Sequence, residues 1–185
     1  MLPFECGNSF DYARDESFIW ANTIPTAEGA LQLLMQHLPR VISGCPIAIL
    51  GYGRVGQTTA QLLCRVGARV TVYARDPIAR TKGIVHEISC KALGSIQTDI
   101  QMFDAVINTV PSVILPDTIL SRAHRETIFL ELASTPGGFD MNAINNRQLS
   151  YIYADGLPGK VAPRTAAQYI KNTVINTRIR EIHIF

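Results

Sequence analysis

The apolar run Pro46-Ile47-Ala48-Ile49-Leu50 leads straight into Gly51-Tyr52-Gly53-Arg54-Val55-Gly56. An unbroken apolar run of this length fits a strand buried on both faces, which requires helices above and below it. A G-x-G-x-x-G loop is informative in one context, directly after such a strand and opening a helix. In that setting Gly51 permits the tight turn, Gly53 lets backbone approach a pyrophosphate, and Gly56 lets helix and strand pack closely. The helix behind the loop offers unpaired N–H groups and a partial positive charge to phosphates. Gly51, Tyr52, Gly53, Arg54, Val55 and Gly56 are therefore candidate cofactor-binding residues.

Around this unit the pattern alternates between helix and strand. Pro25 and Thr26 signal the start of an amphipathic helix with Ala27, Ala30, Leu31, Leu34 and Leu38 on one face, stopped by Pro39. A helix is predicted over residues 55–65, ended by Gly67, and then a strand over 68–73. A polar helix follows near 77–82, a weak strand at Ile84-Val85 and a helix near 96–102. Further strands are predicted at 105–107, 128–132 and 151–153, with Ile119-Leu120 in a short helix. After the glycine- and proline-rich stretch 156–163, residues 165–175 read as helical. Such alternation predicts an α/β fold, a Rossmann-type doubly wound parallel sheet with helices on both faces. The chain divides into an N-terminal remnant (1–24, with Phe4, Phe10, Tyr12, Phe18 and Trp20), a dinucleotide-binding domain (25–160) and a C-terminal helix and tail (161–185).

Composition narrows the functional classes. With 47% hydrophobic and 17% charged residues, the 185-residue chain reads as a soluble globular protein able to bury a core. A net charge of +2 without a basic run argues against nucleic acid as a partner. No apolar stretch is long enough to span a bilayer, and Glu5 and Asp11 stand where a secretory signal would be basic and then apolar. The expectation is a cytoplasmic protein. Cys6, Cys45, Cys64 and Cys90 are too scattered for a metal site and read as small hydrophobes.

The residues after the second strand bear on the choice of cofactor. NAD-binding domains carry an acid about 20 residues beyond the glycine loop to hold the ribose hydroxyls. Here the strand ends Tyr73-Ala74-Arg75-Asp76, with Ala74 in the acid's place and Arg75 beside it. A small residue and a guanidinium suit a 2′-phosphate, so NADP is expected, with NAD open if Asp76 turns inward. Asn108, Thr109, Val110 and Pro111 should lie at the carboxyl end of their strand, beside the nicotinamide half, where Asn108 offers a donor and an acceptor.

Several longer segments resemble one family. They are residues 22–29 (NTIPTAEG), the glycine loop, residues 108–112 (NTVPS), residues 132–138 (LASTPGG) and residues 156–166 (GLPGKVAPRTA). In order and spacing they resemble the A subunit of dipicolinate synthase, over residues 22–175. The resemblance implies an oxidoreductase of spore-forming bacteria that makes pyridine-2,6-dicarboxylate from a dihydrodipicolinate precursor during sporulation. It also implies NAD(P), the flavoprotein-like B subunit of dipicolinate synthase as partner, and Ala133 and Ser134 at the cofactor site. Its fold is similar to the 2-hydroxyacid dehydrogenases, with a cofactor domain and a substrate domain built largely from the N-terminal part. Only about twenty residues precede the Asn22 segment here, so little or no dipicolinate formation is expected from the chain alone.

Hydroxyacid oxidation needs a carboxylate-clamping arginine and a proton-moving histidine. Laid on this chain, their places hold Pro136 and Gly159, while His37, His86, His124 and His183 fall elsewhere. Aromatisation of a dihydropyridine is less demanding, because aromatic stabilisation drives both hydride and proton loss. A small dicarboxylate still needs cations, and Lys160 and Arg164 flank the Pro-Gly loop. Glu28 could order a water or take a proton, or simply favour a helix N-terminus by its charge. Two alternatives stay open: a cofactor-binding module without catalysis of its own, and a 2-hydroxyacid dehydrogenase-like oxidoreductase. The early aromatics and the apolar face of the 26–38 helix suggest a homo-oligomer with that face at the interface.

Overall fold

The computed structural model describes residues 11–182, so Phe4, Cys6, Phe10 and His183 lie outside the described residues. Six strands form one sheet: β1 (Pro46–Leu50), β2 (Arg69–Ala74), β3 (Ser89–Ala92), β4 (Ala105–Asn108), β5 (Ile128–Glu131) and β6 (Ser150–Tyr153). All pairings are parallel and the order is β3-β2-β1-β4-β5-β6. The helices are α1 (Glu16–His37), α2 (Arg54–Arg65), α3 (Pro77–Val85), α4 (Ile96–Asp99), α5 (Asp117–Leu120), α6 (Met141–Arg147), α7 (Leu157–Val161) and α8 (Pro163–Ile182). This is the Rossmann-type fold that the alternation predicts.

Strand β1 shows why the sheet is covered twice. Successive side chains of a strand point to opposite faces. Ile47 and Ile49 join Val72, Ile107 and Leu130 in a core closed by Ala30 and Leu34 of α1 and Leu63 of α2. Ala48 and Leu50 join Tyr73, Val106 and Phe129 against Ile96, Ile100, Leu120 and Ile144 on the other face. β1 pairs with β2 on one side and β4 on the other, so the chain leaves it in opposite directions. The carboxyl ends diverge there, and ligands of open α/β sheets bind at such a switch point.

The start of the first helix corrects the sequence reading. α1 begins at Glu16, with the Asp15 carboxylate accepting the Phe18 N–H, and Pro25 lies inside it. The division at residue 24/25 thus falls within one continuous helix. An interior proline costs about 3 kcal/mol. Burial of Thr23, Ala27, Ala30 and Leu34 offsets that cost, and the Thr26 hydroxyl bonds back to the Asn22 carbonyl. Glu28 is consequently an exposed mid-helix residue, not a charge at a helix N-terminus.

Other corrections have equally local causes. Ile84 and Val85 end α3 and are exposed; the strand comes later, at β3, after Glu87 turns the chain with φ 59°. β3 is an edge strand of mixed polarity and carries no apolar run to betray it. Residues 96–102 split into α4 and a 3-10 turn, Ile100–Met102. The stretch 156–163 contains α7, and α8 extends well beyond 165–175. α6, capped by Asp140, has no counterpart in the sequence reading.

The α1 face of Ala27, Ala30, Leu34 and Leu38 is buried within this chain, where α1 packs on α2, α7 and α8. It therefore gives no support to self-association. Trp20, Ile24 and Met35 are the α1 apolar side chains that remain exposed. Leu34 is fully buried, so Leu34→Ala is expected to cost about 2–5 kcal/mol, read as a lower midpoint in urea with unchanged slope.

Candidate functional site

Backbone hydrogen bonds shape the glycine loop. The Gly51 N–H donates to the Tyr73 carbonyl (2.9 Å), while the Leu50 carbonyl accepts from Thr109 N (3.0 Å) and Thr109 Oγ1 (2.8 Å). Gly51 has φ +94°, and a β-carbon there would sit 2.6 Å from Thr109 Oγ1. A β-carbon on Gly56 would overlap the Gly51 carbonyl oxygen, so α2 lies directly against the turn. Gly53 differs from both. Its backbone is extended, and a β-carbon there would enter open space.

That open space lies over an uncapped helix. Carboxylates of Asp15, Asp76 and Asp140 cap α1, α3 and α6, but Gly53 leaves the first turn of α2 without a side-chain cap. Its N–H groups are thus left for an external acceptor. In front of the loop is a cleft of about 380 Å³. Gly51, Tyr52 and Gly53 line it from β1, Ala74, Arg75 and Asp76 from β2, and Thr109, Val110 and Pro111 from β4. These residues fit the phosphates of a dinucleotide.

The side chains of the loop act as struts. Tyr52 is buried, its hydroxyl lies 3.1 Å from His86 Nδ1, and burial pushes its pKa up to about 12. Arg54 reaches Glu16 at 2.5 Å, tying the loop to the first turn of α1, and Val55 is half-buried. On the β2 side, Asp76 Oδ1 accepts the Ile78 N–H at 2.9 Å, so this carboxylate caps α3. Arg75 is exposed. Beside it stands Arg80, which sequence reasoning missed: its guanidinium donates to the carbonyls of Ala74 (2.9 Å) and Arg75 (2.7 Å).

At the end of β4 the outcome departs from expectation. Asn108 stands at the carboxyl end of its strand, but it is fully buried and its amide is spent inside the protein. Nδ2 donates to the Val110 carbonyl (2.8 Å) and to Glu131 Oε1 (2.6 Å), and Oδ1 accepts the Val110 N–H (3.1 Å). Glu131 was also missed. It is 1% exposed, and its carboxylate additionally accepts N–H groups of Ala133 (3.0 Å) and Gly138 (2.7 Å). Burial raises its pKa, opposed by those hydrogen bonds. A lone charge in an otherwise apolar strand was the sign to follow.

The remaining candidates do not line the cleft. Ala133 is buried and Ser134 exposed on the loop after β5. Lys160 pairs with Asp155 at 2.7 Å with both side chains exposed, and Arg164 is exposed in the first turn of α8. Glu28, on α1, is not brought to the glycine loop's cleft either.

Known proteins share this fold. A family model described as "Putative NAD(P)-binding" matches residues 41–141. The dipicolinate synthase A subunit of Bacillus subtilis (strain 168) is 38% identical over 171 residues, which is 92% of this chain and 57% of that protein. The crystal structure of the dipicolinate synthase A subunit from Bacillus halodurans superposes with TM-score 0.88 at 29% identity, covering 91% of this chain and 58% of that one. The crystal structure of its Bacillus subtilis counterpart gives TM-score 0.88 at 35% identity, covering 93% and 57%. A transhydrogenase from Sinorhizobium meliloti shares the fold, with TM-score 0.78 at 13% identity over 95% of this chain and 59% of that one. This chain thus spans less than three-fifths of the length of each of these relatives.

Proposed function

Since the chain belongs to the NAD(P)-binding family and is a homologue of the dipicolinate synthase A subunit, we propose that it binds NADP(H) in the glycine-loop cleft and serves the oxidation of dihydrodipicolinate to dipicolinate. The observation that carries this reading is the open cradle at Gly53 above the uncapped first turn of α2. Backbone N–H groups of that turn would hold the pyrophosphate. Arg75, which lines the cleft, would meet the ribose 2′-phosphate, with the positive charge of Arg80 close behind it, and this pairing would have to outweigh the charge of Asp76, whose carboxylate is held at the start of α3. When bound, the nicotinamide ring would accept the hydride that leaves the dihydropyridine. Thr109, Val110 and Pro111 would form the wall on that side.

Carboxylate binding by Lys160 and Arg164, proton transfer at Glu28, and cofactor contacts by Ala133 and Ser134 belong to this proposal, on the strength of the family-like segments that hold them. So do a cytoplasmic location, a role in sporulation and work with the B subunit of such a synthase. No helix among the described residues is long and apolar enough to cross a membrane. Self-association is part of the proposal as well, carried by the exposed Trp20, Ile24 and Met35, and light scattering of the purified chain tests it.

A fluorescence titration with both reduced cofactors tests the central part. NADPH is expected to bind about tenfold more tightly than NADH, the worth of one charge-assisted hydrogen bond. Arg75→Ala should bring the two affinities within about twofold of each other. Equal affinities in the unaltered chain would contradict the assignment to NADP.

A further inference from the structure

We propose that Glu131, acting through Asn108, is the positioning residue that sets the nicotinamide end of the cleft, an inference that rests on reading the cleft as a dinucleotide site. The starting point is a carboxylate buried in an apolar strand. Such a group is costly unless hydrogen bonds compensate it. Here they come from the end of β4 and from the loop after β5. Oε1 accepts Asn108 Nδ2 (2.6 Å) and Ala133 N (3.0 Å), and Oε2 accepts Gly138 N (2.7 Å).

Each of these bonds leads toward the cleft or braces its wall. Asn108 clamps Val110 by both its carbonyl and its N–H, and Val110 lines the cleft. The Gly138 carbonyl in turn accepts the N–H groups of Ile114 and Leu115, both at 2.9 Å, closing the loop after β5 onto the chain after β4. One carboxylate therefore fixes residues 108–115 against residues 131–138.

The glycines make room for it. A β-carbon on Gly137, where φ is +78°, would lie 2.7 Å from Glu131 Oε2, and one on Gly138 would overlap the Asn108 amide. The Gly-Gly step is thus complementary in shape to the Glu131–Asn108 pair. A second glycine would not be needed for the turn alone, because only Gly137 has a positive φ. The knot meets the pyrophosphate loop through Thr109 and Val110, which a β-carbon on Gly51 would touch. Its effect should fall on the nicotinamide half and spare the adenosine half.

The test compares NADPH with 2′-phospho-ADP-ribose, which lacks the nicotinamide, by calorimetry on the full chain and on Glu131→Ala, Glu131→Gln and Asn108→Ala. Circular dichroism checks each fold. Glu131→Ala and Asn108→Ala are each expected to weaken NADPH about tenfold while the fragment stays within about twofold. Glu131→Gln keeps one acceptor oxygen and should rescue part of the loss. The enhancement of nicotinamide fluorescence on binding should fall in the same order. Equal loss of both ligands, or NADPH binding unchanged in both alanine variants, would overturn the positioning role while leaving the cleft assignment intact. An unaltered chain that binds neither ligand would overturn the cleft assignment and this inference with it.

Discussion

Gly53→Val is expected to remove NADPH binding, weakening it by about a hundredfold or more, while the protein stays folded. The two halves of that result have separate causes. A valine side chain would project into the open space above the first turn of α2, where the proposed site has the phosphates meet the backbone. Each lost charge-assisted hydrogen bond costs roughly 1.5–3 kcal/mol, so losing two accounts for a hundredfold. Stability has little to lose. The φ of −75° and ψ of −168° suit any residue, and a β-carbon meets nothing within 4 Å. The remaining penalty is a poorer helix N-cap, about 1 kcal/mol, which lowers Tm by roughly 2–4 °C. Calorimetric titration and a thermal melt on the same sample check both. Normal NADPH binding by this variant would place the pyrophosphate elsewhere.

Gly56→Ala should give a different phenotype only three residues away. Its β-carbon would overlap the Gly51 carbonyl oxygen and come within 3.1 Å of the Gly51 carbonyl carbon. Backbone cannot swing aside as a flexible side chain can, so α2 must lift from the turn. Overpacking of this kind costs about 1–3 kcal/mol, or a fall in Tm of roughly 2–12 °C for a chain of this size. Cofactor affinity should fall too, because the proposed phosphate contacts are N–H groups of the displaced helix. Scanning calorimetry showing an unchanged Tm for Gly56→Ala would mean that α2 does not pack on the loop as described. Gly53 is thus expected to matter for ligand binding and Gly56 for the fold, although the motif presents them alike.

Part of this architecture was legible in the sequence itself. The run from Pro46 to the glycine loop was legible because burial on both faces leaves a continuous apolar signature and the glycines follow at fixed offsets. The ends of β2 and β4 were legible for the same reason, and Thr109, Val110 and Pro111 do line the cleft. Pro25 misled because an N1 proline and a buried interior proline look identical in sequence; only the packing of α1 on α2 separates them. Ile84 and Val85 misled because their β-branched side chains sit exposed at the end of a helix, while β3 carries no apolar pattern.

Pairings distant in sequence were the least legible. Nothing local to Asn108 says that its amide is consumed by a carboxylate 23 residues on. Arg80 becomes relevant only when α3 folds its guanidinium back over the end of β2. Spacing thus located the cleft, whereas the roles of individual side chains within it depended on tertiary contacts.

Isothermal titration of NADPH into the purified chain tests the cleft assignment most directly. Saturable binding of one molecule per chain, abolished by Gly53→Val in a protein that still melts cooperatively, is the expected result. Folded protein that shows no saturable binding of NADPH or NADH up to about 1 mM, a standard binding free energy weaker than about −4 kcal/mol, would contradict it.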